Sequence, residues 1–174
     1  MARNTIGGLP LSSNHLLPPR EDEFTVNELM WNISRFAGEY LRGIIDFSYE
    51  MSDENYLVKI CPLRLGHVFR EIAVNADEKY IPVIRAEANS ARLKITIENS
   101  SSIPPECDQK LTTLANSAGF SIWAEVGGKI ILTARVRSKA PTFVYASDTL
   151  RVYNAFFYSF FKEKTDVITP AKDV

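Results

Sequence analysis

The stretch PLRLGHVFREIAVNADEKYIP, Pro62 to Pro82, decides the fold. Pro62 suits a first helical turn, where its missing N–H costs nothing. Leu65, Val68, Phe69, Ile72, Ala73 and Ala76 then recur at three- and four-residue steps. This spacing predicts an amphipathic helix from Pro62 to about Lys79, stopping before Pro82. Glu71 and Asn75 stand four apart and therefore share a helix face. A carboxylate above a carboxamide can serve a nucleotide site. The amide oxygen can coordinate Mg²⁺, and the carboxylate can orient or deprotonate an attacking water. Such pairs also occur on most amphipathic helices as solvated polar residues, and spacing alone favours that plainer reading.

Upstream, Thr25 is a helix cap with Glu28 as its capping-box partner. Val26, Leu29, Met30, Ile33, Phe36, Ala37, Tyr40 and Leu41 predict a helix to about Arg42, ended near Gly43. Ile45 to Tyr49 alternates as a half-buried strand does, and Tyr56 to Ile60 is a short extended run. Downstream, Val83–Ala88 and Arg92–Glu98 read as strands of a hairpin around Asn89-Ser90-Ala91. Ser100 to Pro105 reads as a loop, and Cys107–Ala118 as a helix closed by Gly119. Phe120–Val126 and Lys129–Val136 are strands joined at Gly127-Gly128, a strong hairpin signal. Phe143 to Tyr145 is a short extended piece. Asp148 caps a last helix from about Thr149 to Lys164. The expected class is α+β: a two-layer sandwich of a mixed, mainly antiparallel sheet with one helical layer, plus an extra C-terminal helix. The expected core includes Leu29, Ile33, Phe36, Leu65, Phe69, Ile72, Ile95, Ile97, Leu111, Leu114, Ile122 and Ile130. Residues 1–23 read as a flexible lead-in, 24–164 as one domain and 165–174 as a frayed tail.

Composition is ordinary for a globular chain of 174 residues: 45% hydrophobic, 24% charged, net charge −1. That balance implies no nucleic-acid surface. The apolar runs fall short of the roughly 20 residues that span a bilayer, and the N-terminus lacks a signal-peptide pattern. Cys61 and Cys107 have no metal-ligand spacing and suit a reducing compartment, so a cytoplasmic location is expected. There is no Walker-type loop, Cys/His metal pattern or G-x-S-x-G elbow. His15 lies in the lead-in and His67 inside the Pro62 helix. Neither has a neighbouring carboxylate in sequence that would make it an obvious base.

Taken together, several motifs carry a resemblance. Pro62-Leu63-Arg64-Leu65 through Asn75-Ala76 and Lys79-Tyr80-Ile81-Pro82 resembles the N-box of sensor histidine kinase ATPase domains, members of the GHKL superfamily with the Bergerat fold. Phe24 to Leu29 is similar to the segment that joins the kinase dimerisation helices to that domain. Ile95 to Ser100 followed by Ile103-Pro104-Pro105-Glu106 resembles the next strand and loop. Gly127-Gly128-Lys129-Ile130 resembles the opening of the late hairpin. The resemblance covers roughly residues 24–136. It implies a Bergerat-like fold with Asn75 at the Mg²⁺-coordinating position and Glu71 where some members carry a general base. It also implies Lys79 and Asn99 as nucleotide contacts. Lys79 is one residue late, a rotation of about 100° on a helix.

The departures from the pattern bear on activity. The family's adenine-binding D-x-G-x-G is replaced by Glu98-Asn99 and three serines, and Asn99 lacks the charge that strengthens the adenine contact. The glycine-rich phosphate loop and lid are replaced by Pro104-Pro105-Glu106-Cys107-Asp108, which cannot approach phosphates as glycine backbone does. The phosphoacceptor helix is missing, and the lead-in could be the trailing end of a truncated helical hairpin. The resemblance therefore implies a two-component-type signalling module with a degenerate ATPase-like domain, a pseudo-enzyme related to phosphotransfer proteins. Such a module acts by contact with a response regulator or a kinase, with no cofactor. The alternative is an ATP/Mg-binding kinase domain active in phosphoryl transfer, with Glu71 catalytic and Asn75 on Mg²⁺.

The last helix is not supplied by the family. Val152, Tyr153, Phe156, Phe157, Phe160 and Phe161 form a wide apolar stripe rich in aromatic rings. Either it packs on the bare face or edge of the sheet, or Tyr153, Phe157, Phe160 and Phe161 form an exposed interface with a partner or a second copy.

Overall fold

The computed structural model describes residues 22–50, 54–77, 79–99, 107–125, 128–139 and 150–162. The strands are β1 (Asp22–Thr25), β2 (Asp46–Tyr49), β3 (Tyr56–Ile60), β4 (Val83–Ala88), β5 (Arg92–Glu98), β6 (Ser121–Glu125) and β7 (Lys129–Lys139). The helices are α1 (Val26–Tyr40), α2 (Pro62–Asn75), α3 (Asp108–Ala118) and α4 (Arg151–Phe157), the last running into a π-helical turn at Tyr158–Lys162. The sequence readings of Ser100–Pro105, Gly127, Phe143–Tyr145, Asp148 and the tail lie outside the described residues.

The strands form one sheet in the order β1-β3-β7-β5-β4-β2, with β6 also on β7. All pairings are antiparallel except β2 with β4, which is parallel. The long strand β7 organises the sheet: β5 pairs along one edge, while β6 and β3 pair with its first and second halves. Strand alternation sorts the two faces. Ile84, Ala86, Leu93, Ile95, Ile97, Leu132 and Ala134 are buried on the helix side. Arg85, Glu87, Lys94, Thr96 and Glu98 alternate with them on the polar side. The helices α1, α2 and α3 bury their apolar stripes in the same core cluster, so the fold is the expected α+β sandwich. All twelve expected core residues are buried in that cluster or packed against it. Among the described residues, no helix is long and apolar enough to cross a membrane.

Local chemistry sets the element ends. Thr25 Oγ1 accepts the Glu28 N–H at 3.3 Å, the expected cap of α1. Gly119 sits at φ 102° as the left-handed stop of α3. Three readings differ from the structure. The expected lead-in runs through Glu23, whereas β1 begins at Asp22 and pairs with β3. The helix α2 ends at Asn75 rather than near Lys79. Asn75 turns its amide back to the Glu71 carbonyl at 2.9 Å, Ala76 is extended, and Asp77 Oδ1 accepts the Lys79 N–H at 2.9 Å. These local bonds compete with further helix. Finally, α4 meets the sheet at its edge, where Arg151 pairs with Asp22 of β1 at 2.6 Å, but most of its contacts are with helices. It packs on the helical layer, with Phe156 wedged against Phe36 of α1 and Phe69 of α2 at ring separations of 5.7 and 5.2 Å.

Candidate functional site

The face of α2 that carries Glu71 and Asn75 turns toward α3. Asn75 Nδ2 donates to Glu71 Oε2 at 2.7 Å, so the four-residue spacing does bring the two side chains together. The other carboxylate oxygen, Oε1, meets Lys110 Nζ of α3 at 3.1 Å. The Glu71 side chain is only 13% exposed, while Lys110 is 65% exposed. The cluster is therefore a mostly covered carboxylate held by an amide on its own helix and an ammonium on the next.

Lys110 was not among the expected site residues. It lies 39 positions from Glu71, and neither periodicity nor spacing links one helix to the next. Its one visible signal is its place in the first turn of α3, beside Asp108.

Lys79 and Asn99 make their contacts elsewhere. Lys79 sits exposed in the turn after α2, with its backbone N–H on Asp77. Asn99 follows β5 at a left-handed φ of 63°, tolerable for asparagine. Its Nδ2 donates to the Ile81 carbonyl at 2.9 Å, tying the end of β5 to the approach to β4. His67 is buried within α2, with Nδ1 3.2 Å from an Arg64 guanidinium nitrogen. Among the described residues, no group of three or more His, Cys, Asp or Glu side chains is placed to hold a metal ion.

A concavity of about 510 Å³ lies on the opposite, polar side of the sheet, away from Glu71 and Asn75. Its lining pairs charge with charge: Arg85 meets Glu98 at 2.7 Å, and Glu87 and Glu125 stand opposite Lys94 and Lys129 across strands. Exposed pairs of this kind contribute little.

The expected interface residues lie where α4 meets α1. Tyr153, Phe157 and Phe160 are partly buried against the core, and Phe161 is 48% exposed. The Tyr153 hydroxyl donates to Glu39. That hydrogen bond, with partial burial and the nearby Tyr40, pushes the phenol well above the usual tyrosine range.

No protein-family profile matches the chain. No curated protein matches it. Solved structures similar to it are histidine kinase catalytic or ATP-binding domains. The nucleotide-free catalytic domain of histidine kinase ThkA shares 21% identity over 67% of this chain and 96% of that one, at a TM-score of 0.46. The ATP-binding domain of PrrB from Mycobacterium tuberculosis shares 16% over 69% and 98%, at 0.42. The mycobacterial sensor histidine kinase MprB shares 12% over 68% and 99%, at 0.42.

Proposed function

We propose that the chain is a cytoplasmic two-component-type signalling module whose degenerate ATPase-like domain acts by protein–protein contact, without ATP turnover. The signalling context comes from the N-box-like stretch and its companion motifs. One observation carries the rest: Glu71 is occupied from within by Lys110 and Asn75.

A general base must reach the water whose proton it takes. Here one oxygen carries an ammonium and the other an amide. Lys110 places a positive charge 3.1 Å from Oε1, so Mg²⁺ beside Glu71 would have to displace that contact. The neutral Asn99, engaged with the Ile81 carbonyl, is a weak substitute for an adenine-binding aspartate. The serines and prolines in place of the phosphate-binding glycines point the same way.

A thermal-shift titration with millimolar Mg-ATP tests the reading. A ligand at 100 times its dissociation constant adds about 2.7 kcal/mol, worth several degrees in a domain of this size. The expected result is no shift. A shift that disappears in Asn75→Ala establishes the alternative, an ATP/Mg-binding kinase domain. A shift that survives Asn75→Ala places a nucleotide away from the residues assigned here.

A further inference from the structure

We propose that the outer edge of β2 accepts an extended segment of a partner protein as an added strand, one that alternates apolar with basic residues. This rests on the reading of the chain as a contact module and names the contact. Among the described residues, β2 ends the strand order and pairs with β4 alone. Asp46 and Glu50 donate their N–H groups to the carbonyls of Pro82 and Ala86 on that side, at 3.0 and 3.1 Å. Backbone groups alternate in direction along a strand, so the N–H and C=O of Phe47 and Tyr49 point away from β4. Among the described residues, nothing partners those of Phe47. Donors and acceptors in this alternation are matched by another extended backbone.

The helical side of the edge has room for side chains. A groove of about 400 Å³ lies there, with Ser34, Gly38 and Arg42 of α1 on one wall and Phe47 and Ile81 on the other. Ser34, Gly38 and Arg42 stand four apart and share a helix face. Glycine is a poor helix residue, and nothing around Gly38 requires it. A Cβ there would meet nothing within 4 Å. Its missing side chain opens the helix wall to whatever an added strand turns toward α1. Phe47 and Ile81 make the facing wall apolar, so those side chains are apolar.

Charge selects the other face of the segment. Alternation puts Asp46, Ser48 and Glu50 on the polar side of the sheet, where Ser48, Glu50 and Glu87 of β4 line the concavity described above. Glu87 stands opposite Lys94. Asp46 and Glu50 have no ion pair among the described residues. The nearby cations are Arg85, held by Glu98 at 2.7 Å, and Arg42, on the helix side. The edge from Asp46 to Glu50 thus offers two acids and no base, and lysine or arginine opposite them is the complement. The same charges argue against a second copy. The antiparallel register that engages Phe47 and Tyr49 of both copies sets Asp46 of each against Glu50 of the other, and like charges directly opposite destabilise.

Amide hydrogen exchange and fluorescence anisotropy with the full chain, free of nucleotide, test this. The probe is a labelled peptide of about nine residues alternating valine and lysine, long enough to cover a strand. One twin carries glutamates in place of the lysines. A second is N-methylated at every residue and cannot donate along an edge. In the free chain the Phe47 amide should exchange fast, while those of Asp46 and Glu50 are protected. The lysine peptide should slow exchange at Phe47 at least about tenfold and bind at least about tenfold tighter than the glutamate twin. The methylated twin should do neither. Asp46→Asn with Glu50→Gln should narrow the gap between the lysine and glutamate peptides. Gly38→Leu should weaken binding without lowering the melting temperature. A Phe47 amide already protected in the free chain overturns the proposal, because the chain itself or a second copy then covers the edge. So does the absence of protection by the lysine peptide, equal binding of the lysine and glutamate peptides, binding that survives N-methylation, or binding indifferent to both variants. A positive Mg-ATP shift leaves these outcomes unaffected, so the two readings fail separately.

Discussion

Ser159 fills the space that any side chain at Gly66 would need. A Cβ at Gly66 would lie 2.5 Å from Ser159 Oγ and 3.0 Å from its Cβ. Ser159 is buried, and its hydroxyl reaches the Leu63 carbonyl at 3.0 Å and the Ala155 carbonyl at 2.8 Å. The extra helix is thus keyed into α2 by a notch and a hydrogen-bonded peg.

Gly66→Ala should destabilise the chain despite alanine's helix preference of about 1 kcal/mol over glycine. The hydroxyl could rotate away only by giving up the Leu63 carbonyl, and the Ser159 Cβ has no rotation that clears it. Overpacking of this kind costs about 1–3 kcal/mol. Urea unfolding of Gly66→Ala, Ser159→Gly and the double variant checks the pairing. The double variant should lose less than the sum of the singles. Strict additivity would mean the notch is not where the two helices meet.

How much was legible follows from what each element needs. The bounds of β4 and β5 coincide with the sequence reading because both faces alternate cleanly and Asn89 caps the turn through Oδ1, at 2.8 Å from the Ala91 nitrogen. By contrast, β1 has four residues and one deeply buried side chain, Phe24, too little for a period. For the last helix, the aromatic stripe announced an apolar face but not its counterpart. Gly66, which accepts Ser159, reads in sequence only as a weak helix residue. In the site, the pairing of Glu71 with Asn75 was visible as a four-residue step. Lys110 was not, because an ion pair between two helices leaves no periodic trace.

The Glu71–Lys110 pair should contribute modestly. Lys110 is mostly exposed, so solvent screens the attraction, and a coupling under about 1 kcal/mol is expected from a double-mutant cycle of Glu71→Gln with Lys110→Met. The coupling should shrink in 1 M salt. A coupling of several kcal/mol, insensitive to salt, would show a dry, closed interface between α2 and α3 instead.

Tyr153 should resist ionisation. Its hydroxyl donates to Glu39, an interaction the phenolate cannot make, so the folded-state value lies above the ordinary tyrosine value of about 10. For a group raised on folding, the stabilising contribution is whole below about pH 10 and fades as pH rises through the folded value. Ultraviolet titration at 295 nm should show a late tyrosine that vanishes in Tyr153→Phe and moves earlier in Glu39→Gln. The titration is followed only while circular dichroism reports a folded chain. A wild type with no late tyrosine would remove the Glu39 hydrogen bond from the solution structure.

Phe156 and Phe161 lie five residues apart on the last helical segment and should behave oppositely. Phe156 is fully buried and touches the rings of both Phe36 and Phe69. Truncation to alanine removes that packing and leaves a void between α1 and α2, at a cost of about 3–5 kcal/mol. Phe161 is half exposed, and its neighbours Tyr40 and Phe157 hold one another without it. Phe161→Ser should therefore cost under about 1 kcal/mol, the range of surface changes. Chemical denaturation of the two variants measures both. If Phe161→Ser loses as much as Phe156→Ala, the outer rings belong to the core and cannot be spared for a partner. If the loss is confined to Phe156, the stripe divides along its length, with one part anchoring the helix and the other left on the surface beside Tyr40.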